Sequence, residues 1–110
     1  MPSLRIRTAA NRIRVPDVTI LDRSLPVEQV ITHPPIAVIE ILSPEDALTR
    51  VMTKLGDYER MGIQTILVID PEGRNYRFSA GSLEPLTQTV FTFPGSACRF
   101  DLAEIEKLLD

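Results

Sequence analysis

Two charged residues occupy places in this sequence where a charge is expensive. Glu40 lies inside the run Ile36-Ala37-Val38-Ile39-Glu40-Ile41-Leu42. Side chains on a strand alternate between faces, so Ala37, Ile39 and Ile41 share one face while Ile36, Val38, Glu40 and Leu42 share the other. Both faces are apolar. That pattern belongs to a strand covered on both sides, where an unpaired ionised carboxylate would cost several kcal/mol. Lys54 is the second anomaly. On a helical wheel of 100° per residue with Ala47 at zero, Leu48, Val51, Leu55, Tyr58 and Met61 define an apolar arc from about −40° to about 140°, and Lys54 falls inside it at about −20°. Asp17, in "RVPDVTIL", could converge with them from a neighbouring extended segment, in which it is the only acid.

These three can meet. Lys54 stands about eleven residues beyond Ser43, roughly 16 Å along a helix, and Glu40 lies three residues, roughly 10 Å, back down the strand. Helical side chains lean toward their N-terminus, which carries the ammonium toward Glu40. Two carboxylates and an amine suit metal-assisted phosphodiester hydrolysis. The acids are hard oxygen ligands for Mg²⁺ that leave positions for water and a phosphate oxygen, and the lysine can orient water and offset developing charge. The other reading of Glu40 and Lys54 is a buried ion pair with no catalysis, and the pattern alone leaves both open.

The elements that position them follow from periodicity and punctuation. "LRIRTAANRIRVPDVTIL" predicts two strands hairpinned around Ala9, Ala10 and Asn11. Residues 23–35 predict a loop with a short helical turn near Val27 to Ile31. Ser43 as N-cap, Pro44 as the first helical residue and then Glu45 and Asp46 predict a helix that runs to Met61 and stops at Gly62. "QTILVID" predicts a second buried strand, "DPEGR" a turn, and "NYRFSA" and "LTQTVF" the outer strands of the sheet. Asp101 with Glu104 forms a capping box for a final helix, "LAEIEKLL". The order β-β-β-α-β-β-β-α predicts a mixed α/β sheet with one long right-handed crossover helix and a short C-terminal helix.

A chain of 110 residues is long enough for one core, so residues 1–110 are expected to form a single domain. Lone Cys98 and lone His33 exclude a disulfide framework and a Cys/His zinc cluster, and favour packing and loop roles for the two residues. A cytoplasmic location fits this cysteine usage, and no apolar run reaches the roughly 18 residues of a membrane span. The net charge is −3, yet Arg5, Arg7, Arg12 and Arg14 stand in the first fifteen residues without an acid. A solvated strand face is the simplest reading; a single face carrying all four could also grip the phosphates of DNA.

"VPDVTIL", "PPIAVIEILSP", "KLGDYERMGI" and "ILVIDPEGR" resemble the Uma-type restriction-endonuclease-like branch of the PD-(D/E)XK nuclease superfamily. The likeness spans roughly residues 13 to 80 and implies a restriction-endonuclease-like fold and a Mg²⁺- or Mn²⁺-dependent DNA endonuclease. It implies Asp17 and Glu40 as metal ligands and Lys54 as the catalytic lysine, moved from the strand to the helix; Leu42 holds the usual strand position. Arg50 and Leu67 stand where such relatives commonly carry Asp and Trp. The resemblance also implies that an N-terminal helix and a strand bearing another acid are lacking here. An uncovered sheet edge would then be closed by self-association, a dimer first. A silent remnant of the fold, serving as an oligomeric or nucleic-acid-binding module, is the competing expectation.

Overall fold

In chain order the elements of the computed structural model are β1 (Arg5–Ala9), β2 (Arg12–Arg14), β3 (Val18–Ile20), β4 (Val30–Ile31), β5 (Ala37–Ile41), α1 (Leu48–Met61), β6 (Thr65–Asp70), β7 (Arg74–Ser79), β8 (Ser82–Pro85), β9 (Val90–Thr92), β10 (Arg99–Asp101) and α2 (Leu102–Lys107). The described residues are 4–22, 24, 28–43, 45–92 and 99–107. Among them the main sheet has the order β3-β5-β6-β7-β8, with a second sheet β2-β1-β4 and a two-stranded pair β9-β10. The fold is mixed α/β with one main helix and one short one. No helix of the described residues is long and apolar enough to cross a membrane.

β5 and β6 are parallel and joined by α1, with Glu40 opposite Val68. Their side chains alternate as a doubly covered sheet requires. Val38, Ile66 and Val68 pack with Leu55 and Tyr58 of α1, whereas Ala37, Ile39, Leu67 and Ile69 pack with Phe91 and Leu102 on the opposite side. Each such side chain contributes roughly 1.5–3 kcal/mol when fully buried. The predicted crossover and its two-sided core are therefore present.

Several boundaries differ from expectation. α1 starts at Leu48, with Ala47 at the N-cap and no side-chain cap. Ser43, the expected N-cap, instead closes a turn with the acids expected in the first helical turn: its N–H donates to Asp46 Oδ2 at 2.8 Å, its hydroxyl to Glu45 Oε2 at 3.0 Å, and its carbonyl accepts the Asp46 N–H. Leu48, placed on the apolar arc, is 65% exposed, because the first helical residue has no preceding turn to lie against. The far end is as predicted. Gly62 takes φ 102°, which glycine tolerates without a Cβ penalty, and its N–H donates to Glu59 O.

The outer strand after β7 is Ser82–Pro85 rather than "LTQTVF". Ala80 and Gly81 both have positive φ and make a two-residue turn between paired Ser79 and Ser82, a geometry that matches the sheet twist. Val90–Thr92 pairs with β10 instead. Asp70 opens the next turn as expected, its Oδ1 accepting the Glu72 N–H. Asp101 Oδ1 accepts the Ala103 N–H at the start of α2. The expected roles of Pro44 and Cys98 lie outside the described residues, as does Val27; the end of the helical turn expected near Val27 to Ile31 is instead β4, because Val30 and Ile31 pair with β1.

The N-terminal hairpin forms, but its second strand ends early. Pro16 is fully buried and has no N–H for a ladder, so the chain leaves β2 there and β3 crosses to pair with β5 in the main sheet. The hairpin also separates the four arginines. Arg14 lies opposite Ile6, which is fully buried, while Arg7 lies opposite exposed Ile13, so Arg12 and Arg14 face α1 and Arg5 and Arg7 face outward. The expectation of one face bearing all four is corrected by this register. Arg12 and Arg14 meet Asp57 at 3.0 and 2.7 Å, and Arg60 joins them from one turn along the helix.

Asp57 is 3% exposed. Burial works against its charge, but the guanidiniums of Arg14, Arg60 and Arg12 outweigh it and hold the carboxyl below its ordinary value. A depressed carboxyl stabilises the fold above the unfolded-state pKa and loses that contribution as pH falls through the folded-state value. Asp57→Asn is expected to lower stability at pH 7 by about 2 kcal/mol, the scale of lost hydrogen bonds to a charged group. Urea melts at a series of pH values should show a shallower loss of stability in acid for the variant than for the wild type.

Candidate active site

Three parts of the chain bring Asp17, Glu40 and Lys54 to one cleft. Asp17 comes from the link between β2 and β3, Glu40 from β5 and Lys54 from the second turn of α1. The cleft has a volume of about 300 Å³, and its walls include all three together with Leu42, Asp46 and Arg50. Glu40 shares its strand face with Val38 and so points at α1 rather than at α2. Leu42, two residues on, shares the cleft without supplying a charge, which leaves the amine to the helix.

Glu40 is 6% exposed and accepts a hydrogen bond on each carboxylate oxygen. Lys54 Nζ donates to Oε2 at 3.0 Å, and the Tyr58 hydroxyl donates to Oε1 at 2.7 Å. Lys54 also donates to the Val15 carbonyl at 3.0 Å. That bond ties the helix to the segment that carries Asp17. Asp17 Oδ2 in turn accepts the Ile41 N–H at 2.7 Å, which sets one carboxylate beside the residue that follows the other. Burial pushes the Glu40 carboxyl up; the Tyr58 hydroxyl and the Lys54 ammonium oppose the shift, and the Asp17 charge adds to it. Burial and the nearby Glu40 carboxylate push the Tyr58 phenol far up, so it remains a donor.

The donor set fits a small hard cation. Among the described residues no group of three His, Cys, Asp or Glu side chains gathers to form a closed metal cage. Mg²⁺ needs none, since it is commonly held by one or two carboxylates and keeps several waters. Asp17 Oδ1 makes no hydrogen bond among the described residues, and each Glu40 oxygen has a second lone pair beyond the one its donor uses.

The other candidate residues lie elsewhere. Arg5, Arg7, Arg12 and Arg14 are absent from the cleft walls; Arg7 donates to the Ala10 carbonyl at 2.9 Å, and Arg12 and Arg14 grip Asp57. His33 lies 2.9 Å from Glu28, also away from the cleft. Two participants escaped the sequence. Tyr58 belongs to the core as expected, yet its hydroxyl reaches Glu40; its position four residues after Lys54 places both on one helix face and was the available signal. Asp57 carried a comparable signal. It adjoins the apolar arc, and the nearby arginines outnumber the acids.

The sequence model of the Uma2 family, described as "Putative restriction endonuclease", matches residues 1–89. No curated protein matches the chain significantly. Among solved structures, the chain is similar to a crystal structure described as "a putative nuclease belonging to DUF820" from Anabaena variabilis ATCC 29413. The TM-score is 0.69 at 20% sequence identity, and the superposition covers 100% of this chain and 68% of that one. At that identity the likeness speaks for the fold alone, a nuclease-like one. With residues 1–89 of its 110 matched by the family model, the chain belongs to the Uma2 family, described as "Putative restriction endonuclease".

Proposed function

We propose that this protein hydrolyses phosphodiester bonds of DNA with a divalent cation, Mg²⁺ or Mn²⁺, held by Asp17 and Glu40. The observation that carries the proposal is the convergence of two carboxylates and one ammonium on a single cleft, with Lys54 Nζ 3.0 Å from Glu40 Oε2. When bound, the ion would supply Lewis acidity and a water of lowered pKa. The protein's own part is positional and electrostatic. Asp17 and Glu40 offer hard oxygen atoms at the wall of the cleft and leave room for a phosphate. Lys54 holds its ammonium between Glu40 and the Val15 carbonyl, where it can orient a water and offset charge that builds on the phosphorus centre. Family membership supports the same reading.

One observation favours a silent nuclease-fold remnant instead. Both Glu40 oxygens already accept hydrogen bonds from protein donors, so Lys54 and Glu40 form a complete buried ion pair without any cation. The two readings differ in sign on mutation. For an ion pair alone, Glu40→Gln abandons the ammonium and costs about 3–5 kcal/mol. For a metal site, relief of repulsion between Asp17 and Glu40 makes Asp17→Asn and Glu40→Gln mild or stabilising without metal, while removing stabilisation by Mg²⁺. Thermal melts of the wild type and both variants, with and without millimolar Mg²⁺ or Mn²⁺, decide the matter, and cleavage of supercoiled plasmid should vanish in both variants and in Lys54→Ala. A wild-type melting temperature indifferent to both ions, with a severe loss in Glu40→Gln, overturns the nuclease reading.

The outward pair Arg5 and Arg7 remains available to neutralise phosphates. Replacing both with alanine should weaken duplex binding and flatten the log-log salt dependence by about 0.9 for each phosphate that is no longer neutralised. Replacing Arg12 and Arg14 should instead lower the melting temperature, because it leaves buried Asp57 with Arg60 as its one remaining guanidinium partner among the described residues. Filter binding across a salt series, paired with melts, separates the two effects.

A further inference from the structure

We propose that Tyr58 is a positioning residue for Glu40, fixing the plane of that carboxylate so that it presents an oxygen to a cation in the cleft. The inference rests on the metal-site reading and adds a residue outside the cleft walls. Tyr58 is fully buried between α1 and the sheet, and its hydroxyl reaches Glu40 Oε1 at 2.7 Å from the core side. Lys54 reaches the other oxygen from the cleft side, where it is 25% exposed. The two donors stand four residues apart on one helix and so grip the carboxylate from both flanks.

Such a grip has a physical purpose. The terminal torsion of a glutamate is broad and roughly two-fold, so a carboxylate with one anchored oxygen can rock about its bond. Lys54 alone would anchor only Oε2, and its ammonium sits on a flexible four-carbon stem. Tyr58 is fully buried in the same apolar cluster as Leu55, Val38 and Val68, and a close-packed core makes its hydroxyl a rigid reference point. Groups that orient a ligating carboxylate from outside typically change metal affinity 10- to 100-fold when removed.

Tyr58→Phe keeps the ring and deletes only the hydroxyl. Calorimetric titration of the wild type and the variant with Mg²⁺ should show a dissociation constant at least about tenfold larger in Tyr58→Phe, with the far-ultraviolet spectrum unchanged. Equal dissociation constants, with a melting temperature lowered by the same amount with and without Mg²⁺, would make Tyr58 a core residue only and overturn the inference. Absence of Mg²⁺ binding in the wild type would remove the metal-site reading itself and the positioning role with it, an outcome the wild-type arm separates from the previous one. If the variant does not fold, the wild type still decides. The Tyr58 ring-carbon resonance beside the hydroxyl should shift on Mg²⁺ addition and saturate with the calorimetric midpoint, and a resonance that stays put overturns the inference.

Discussion

The carboxylate of Glu40 sits near the end of a strand with apolar neighbours on both faces, and it can be buried there only because a single helix delivers a donor to each of its oxygens. That constraint fixes much else. The helix must lie across β5 and β6 with its buried face turned to Glu40, which demands the parallel crossover and the turn-and-glycine boundaries at its ends. It must also hold its rotation, because a shift of one residue turns the helix by about 100° and would carry Lys54 and Tyr58 off the carboxylate together.

A second buried acid on the same helix fixes that rotation from the neighbouring side. Asp57 draws in Arg12 and Arg14 from the N-terminal hairpin, fastening β2 to α1. The two acids differ in kind. Asp57 is surrounded by guanidiniums that outweigh its burial, so it prefers to be ionised and acts as a fastening. Glu40 has one ammonium and one neutral hydroxyl, and burial prevails, so its charge is incompletely compensated. Glu40 also lies at the wall of a cleft near a second carboxylate, Asp17, whose charge adds to the upward push. The division of labour follows from how many positive charges each acid is given.

The link between β2 and β3 joins these two regions. Pro16 ends the hairpin ladder, the Val15 carbonyl accepts from Lys54, and Asp17 then bonds to the Ile41 amide. Three consecutive residues thus pass from one sheet to the other and leave a carboxylate at the junction. Because the hairpin is held by Asp57, the position of Asp17 depends on an ion-pair cluster that lies outside the cleft walls.

Local pattern was enough for a large part of this. Alternation of apolar residues around Glu40 foretold a strand covered on both sides, and the wheel position of Lys54 foretold that it would face that strand. Gly62 and the turn at Asp70 were legible because left-handed backbone and side-chain-closed turns are local properties. The motifs around Asp17, Glu40 and Lys54 also carried the family. Other features depend on which strand lies beside which, and no local pattern encodes that. The hairpin register sends Arg14 inward beside Ile6 and Arg7 outward beside Ile13, although both arginines alternate with apolar residues in the same way along the chain. The two-residue turn at Ala80 and Gly81 diverts the outer strand to Ser82–Pro85. Ser43 takes its own acids in a turn instead of capping the helix, because several local partners compete for the same hydroxyl and amide. Sequence by itself determined which charges were out of place and hence where a site must be. Only the tertiary structure decided how each was compensated, because a hydrogen bond between Tyr58 and Glu40, or an ion pair between Asp57 and Arg14, joins residues 18 and 43 positions apart through a packing that exists only once the chain has folded.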